Sequence, residues 1–188
     1  MYVKQAVLTD GTQVTVELLH YPDDYEKAFC RACAFVTIGK DSDAVPTDTW
    51  LHSICKAGHS PIRELKFAFR FDNLPYFVST HLVRHVHAQP YVKSQRNDRQ
   101  HKYDRRKAPQ DAPVCMIWTM NAEELMTVCH KRLCNMADPD TQMIVRAMAA
   151  MVNEAVPYLN GLLVPMCEYL GGRCNEMKPC GKYTRNEM

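Results

Sequence analysis

The densest run of side chains able to do chemistry is Arg84-His85-Val86-His87-Ala88-Gln89-Pro90-Tyr91-Val92-Lys93-Ser94-Gln95-Arg96. Arginine forks bind phosphate and carboxylate bidentately, so a hydroxyl such as Ser94 set between two forks could cradle a nucleotide monophosphate. Residues 84–107 gather eight Lys or Arg against two Asp, a net +6, while the rest of the chain carries −4. A phosphate-bearing partner is the natural reading of that asymmetry. From charge alone, a solvated basic loop has even odds, and a nucleic-acid-binding module is the non-enzymatic rival, with affinity falling steeply with salt.

Three further constellations call for chemistry or packing. Arg132 falls on the same helical stripe as Leu125, Val128 and Leu133, and an arginine on a core-facing stripe asks for an anion. Cys167, Cys174 and Cys180 cluster in a tail containing Gly and Pro, and with a fourth ligand such as Cys134 or His130 they would hold a structural zinc; free thiols are the favoured alternative. Cys30 and Cys33 form a C-x-x-C inside an amphipathic pattern, where buried small hydrophobes outweigh a redox pair.

The elements that must position these residues are legible from periodicity. Tyr2 to Leu8 and Thr12 to Leu19 flank Asp10-Gly11, the pattern of a hairpin. After Pro22, acids in the first turn precede Tyr25, Ala28, Phe29, Ala32 and Phe35 at helical spacing. A second helix starts at Thr47 or Asp48 and stops at Gly58, just before His59. Lys66 to Phe71 alternates as a strand with three Phe rings on one face, ending at Asp72-Asn73. Pro75 opens a helix running through His81 to His85, whose four-residue separation is that of two metal ligands on one helix face; histidines facing the core or a cofactor are the preferred reading because further ligands are missing. Ala112 to Met120 reads as a strand, Asn121 and Glu124 as a capping pair, and Asp138-Pro139 as the start of a last long helix ended by Pro157.

With 188 residues, 46% hydrophobic and 23% charged, the chain is the size of one globular domain, residues 1–188, with a Cys-containing tail from about 158 to 188. No apolar run reaches the ~20 residues of a membrane-spanning helix, so no membrane partner is expected. The opening Met-Tyr-Val-Lys-Gln-Ala-Val lacks a signal-peptide layout, and nine cysteines, an odd number, argue against a disulfide framework. The expected location is therefore cytoplasmic. The expected fold class is α+β, a short antiparallel sheet packed against several helices.

The order of residues in the basic segment resembles the signature of flavin-dependent thymidylate synthases, Arg-His-Arg followed by seven residues and Ser. Neighbouring motifs fall in place: Gly58-His59 and Glu64 before the strand, the helix Pro75 to His85, Asn121-Ala122 opening a helix, and Arg132 eleven residues after Asn121. The likeness covers roughly residues 55–150. It implies a thymidylate synthase-complementing-protein-like fold and contacts to phosphate and uracil from Ser94, Arg96, Arg132 and Arg105 or Arg106, with His81 beside them. Flavin contacts would fall on His59, Glu64, Arg84, His85 and Asn121, and the catalytic roles on Ser94, Arg132 and His59. It further implies FAD as cofactor, NADPH and methylenetetrahydrofolate as co-substrates, dUMP or a related pyrimidine deoxynucleotide as substrate, and a homotetramer in which one site draws on several subunits. Under this reading nucleic acid is disfavoured as a partner. Two departures stand out: the third signature residue is Val86, and the acidic residue expected two before Ser94 is Val92. They keep hydroxymethylation of a pyrimidine nucleotide open as the alternative to methylation.

Overall fold

Asp10-Gly11 closes the first hairpin because Gly11 takes φ +86°, a left-handed value that costs a residue without Cβ nothing. It joins β1 (Tyr2–Val7) to β2 (Gln13–His20) in antiparallel register. The computed structural model describes residues 2–94, 104 and 106–185, and over these the chain is α+β. Five antiparallel strands lie in the order β1-β2-β3-β5-β4, with β3 spanning Lys66–Pro75, β4 Gln89–Val92 and β5 Pro113–Asn121.

Alternation sets which face of the sheet is dry. Val14, Val16 and Leu18 of β2, Phe67, Phe69 and Phe71 of β3, and Val114, Met116, Trp118 and Met120 of β5 are all buried on one side. Burying each such side chain contributes about 1.5–3 kcal/mol. Lys66, Arg70, Cys115 and Ile117 face outward between them. The strand β3 does not stop at Asp72-Asn73. Asn73 adopts φ +62°, absorbs a bulge between Phe71 and Leu74, and donates from Nδ2 to the Gln13 carbonyl at 2.9 Å, so pairing continues to Pro75.

Helices cover the dry face. Helix α1 (Asp24–Val36) starts at a full capping box between Asp23 and Glu26, α2 (Asp48–Ala57) is capped by Thr47, and α3 spans Tyr76–Leu82. Helix α4 (Ala122–Arg132) follows β5 without a loop, α5 (Pro139–Ala155) packs on β1 and β2, and the short α6 spans Met166–Tyr169. Two expectations are corrected. The α1 stripe does not face the core: Tyr25 is 75% exposed, Phe29 is exposed too, and Cys30 is its one buried residue. Helix α3 ends at Leu82, where Val83 caps it, so His81 and His85 do not share a helix face. Among the described residues no helix is long and apolar enough to cross a membrane.

Candidate functional site

His85 is turned inward by the chain reversal after α3. Its backbone N–H donates to the Leu82 carbonyl and its own carbonyl accepts from Ala88, both at 3.1 Å. The turn leaves the residue 8% exposed, with its ring edge-on to Trp118 at 6.0 Å. On the facing helix, Glu124 and Arg132 lie eight residues apart, two turns of α4 and roughly 12 Å along its axis. The imidazole fills the gap between them. Nδ1 meets Glu124 Oε1 at 3.0 Å, and Nε2 accepts from Arg132 Nε at 3.0 Å.

Because Arg132 Nε–H can only donate, His85 Nε2 must present its lone pair and the proton sits on Nδ1, directed at Glu124. The electrostatics agree. Burial, aided by the Arg132 charge, pushes the His85 imidazolium down to about 4, so the ring is neutral at pH 7. Burial also raises the Glu124 carboxyl above its ordinary value, with His87 acting in the opposite sense. Arg132 is half-buried, and burial together with neighbouring Arg84 lowers its guanidinium from the ordinary value without approaching neutrality.

A second hydrogen-bonded chain grips Arg132 from the other side. Asp138 caps α5 by accepting from the Thr141 backbone N–H and hydroxyl, both at 2.9 Å, and Thr141 Oγ1 meets His81 Nδ1 at 2.9 Å. The His81 carbonyl accepts from Arg132 Nη2 at 2.8 Å. Two of the five guanidinium N–H groups are thereby fixed.

Asn121 stands at the opposite end of α4, where its Oδ1 accepts from the Glu124 N–H at 2.9 Å. The expected capping pair is only half made, since the Glu124 carboxylate is diverted to His85. Asn121 also lines a groove of ≈ 360 Å³ with Lys66, His87, Gln89 and Thr119. Glu64 lies two residues from Lys66, whose Nζ reaches it at 3.7 Å and also donates to the Arg63 carbonyl. His85, Glu124 and Arg132 thus meet on one side of α4, with Asn121 at the far end of the helix and Glu64 at the groove's margin.

His59 is exposed at the start of the 3-10 turn Ser60–Glu64. Ser94 follows β4 at the end where Val92 pairs with Met116, about 17 Å along β5 from Asn121. Arg106 is exposed, its backbone N–H donating to Asp104 at 3.1 Å. Arg96 and Arg105 lie outside the described residues. Sequence reasoning missed the role of Glu124; its available signal was an acid four residues before Val128 and eight before Arg132, on the stripe already interrupted by that arginine.

The cysteines expected to bind zinc do come to one place. Cys167, Cys174 and Cys180 line a cavity of ≈ 20 Å³, room for about one water, together with Cys134 and His130. Burial and the neighbouring Glu168 and Cys134 raise the Cys167 thiol. They do not close into a ligand set: among the described residues no group of three His, Cys, Asp or Glu side chains is placed to hold a metal ion, and all nine cysteines are free thiols. Cys30 is buried and its thiol pushed up to about 12, as a packed small hydrophobe would be.

The family described as thymidylate synthase complementing protein matches residues 104–158 of the chain. The matched stretch holds β5, α4 and α5, and with them Asn121, Glu124 and Arg132. The match supports a likeness to that family over this stretch and, in general terms, a thymidylate synthase-related function. No curated protein matches. Residues 84–94, which carry the signature-like run, precede the matched stretch.

Proposed function

We propose that the protein methylates dUMP to dTMP with methylenetetrahydrofolate as carbon donor and NADPH as reductant, using FAD. The observation carrying this reading is Arg132: a half-buried guanidinium at the end of α4, oriented by two hydrogen-bonded chains, within the stretch that matches the family. A nucleotide phosphate or a uracil carbonyl is the anionic or dipolar group such a fork recognises.

The residues present suit a flavin. Lys66, His87, Gln89 and Asn121 offer charge and hydrogen-bond donors along an open groove adjoining the buried cluster, and Glu64 flanks it through Lys66. When bound, the reduced flavin supplies the hydride that completes the transferred one-carbon unit as a methyl group. The chain's own contribution is to orient: Arg132 holds the nucleotide, His85 stays neutral and keeps Arg132 aimed, and Asn121 fixes the end of α4 against the groove. The family resemblance implies a homotetramer in which one site draws on several subunits, and Ser94 and His59 would act at the site in that assembly.

Turnover of dUMP with FAD, NADPH and methylenetetrahydrofolate, read by mass spectrometry of the nucleotide, tests this reading. A methylated product with NADPH consumed is expected. A hydroxymethylated product without NADPH consumption would replace it with the hydroxymethylase reading. No product, together with salt-sensitive binding of nucleic acid, would favour a binding module.

A further inference from the structure

We propose that Glu124 is a positioning residue for the anion-binding arginine: it holds the His85 proton on Nδ1, so that Nε2 accepts the Nε–H of Arg132 and fixes the plane of the guanidinium. This deepens the nucleotide-binding reading and rests on it, since Arg132 is the group that reading assigns to the substrate.

The geometry leaves Glu124 little else to do. It sits in the first turn of α4, 5% exposed, where a side chain ordinarily reaches back to the cap residue or out to water. Here it turns toward His85 instead, and the cost of burying a carboxylate is offset by the first-turn helix dipole and by the hydrogen bond from Nδ1. Imidazole in water has two competing tautomers. Only the one with its proton on Nδ1 satisfies Arg132, because the other would set an N–H against the Nε–H of the guanidinium. A carboxylate that accepts from Nδ1 selects that form. The surrounding charges are consistent with the assignment: Arg84 lies beside Arg132, His87 and Glu123 beside Glu124, and Asp138 reaches His81 at 4.0 Å on the far side of the fork.

Val128 lies between Glu124 and Arg132 on the same stripe and is fully buried, so neither long side chain can slide along the helix to substitute for the other. Among the described residues the imidazole bridges them. Removing the acceptor at position 124 should therefore act on a residue two turns away through the ring, without touching the nucleotide.

The test compares wild type, Glu124→Ala and Glu124→Gln in two readouts: the tautomer of His85 by nitrogen-15 ring NMR, and dUMP affinity by calorimetry. Wild type should carry its proton on Nδ1. Glu124→Ala should lose that preference and bind dUMP roughly tenfold more weakly, the effect of one lost hydrogen bond to a charged group. Glu124→Gln keeps a carbonyl acceptor and should retain both the tautomer and affinity within about threefold of wild type. Should Glu124→Ala fail to fold, Glu124→Met against Glu124→Gln preserves the contrast between no acceptor and a neutral one. The proposal is overturned if wild-type His85 carries its proton on Nε2, or if Glu124→Ala leaves tautomer and affinity unchanged. If wild type binds no dUMP, the nucleotide reading fails, and the NMR readout alone then decides whether Glu124 sets the ring.

Discussion

The C-terminal cavity and the inner face of α4 make an instructive pair. The cavity has the richer inventory, four thiols, an imidazole and a carboxylate around ≈ 20 Å³, yet no three of its donors are placed to share one ion. The α4 cluster has only Glu124, His85 and Arg132, but both nitrogens of the central ring have a partner at 3.0 Å and the ring is nearly dry. Abundance of reactive residue types nominates a region. Direction and burial decide whether it is a site, because a half-buried fork with two of its donors fixed loses little freedom when an anion arrives.

The sharpest way to break the contrast is to remove the fork. Arg132→Ala should weaken dUMP binding by roughly a hundredfold, the loss of a bidentate charge-assisted contact, while the fold survives. Unchanged affinity in calorimetry would remove Arg132 from the site and reduce the cluster to a structural one.

The next effect is on stability and pH. His85 titrates near 4 in the folded chain and near 6.5 when unfolded, so its contribution is fully present above pH 6.5 and is lost as pH falls toward 4. The loss amounts to as much as about 3 kcal/mol. Glu124 works with the opposite sign, since its raised carboxyl lets the folded chain take up a proton more readily in acid, and it offsets part of the slope. Denaturant unfolding of His85→Gln across this range should show a shallower fall than wild type. An identical slope would mean that the imidazole is not held neutral.

A smaller effect is expected on the second grip. Asp138→Ala removes the α5 cap and the anchor of Thr141 and His81, which should cost about 1 kcal/mol of stability and leave the His85 tautomer intact. Loss of more than about 2 kcal/mol would show the two chains to be one cooperative network. Smallest of all, Cys180→Ser, at an exposed cavity thiol, should change stability by less than about 0.5 kcal/mol and nucleotide affinity not at all. A large destabilisation reversed by added zinc would contradict the contrast and make the cavity a metal site after all.

Much of the scaffold was legible because it follows from local rules. The Asp10-Gly11 turn, the alternating Phe residues of β3, the Thr47 and Asp138 caps and the stop at Gly58 all declare themselves within a few residues. Arg132 was legible as an anomaly on an apolar stripe. What escaped depends on neighbours distant in the chain. That α1 turns Tyr25 outward is decided by how the helix sits on the fold, and Asn73 extends β3 because Gln13 offers a carbonyl sixty residues away. Glu124 looked like a cap because its sequence neighbour Asn121 is one; the imidazole that claims its carboxylate lies thirty-nine residues earlier, beyond any periodicity.

The central claim is that the α4 cluster and the adjoining groove form one nucleotide and flavin site. The most direct test is a titration of the folded protein with FAD, with and without dUMP, followed by flavin absorbance and fluorescence in wild type and Arg132→Ala. Wild type should bind FAD, with a flavin spectrum that shifts when dUMP is added, and Arg132→Ala should keep the flavin while losing the dUMP-dependent shift. A well-folded protein that binds neither ligand, or whose flavin is indifferent to dUMP, would contradict the account.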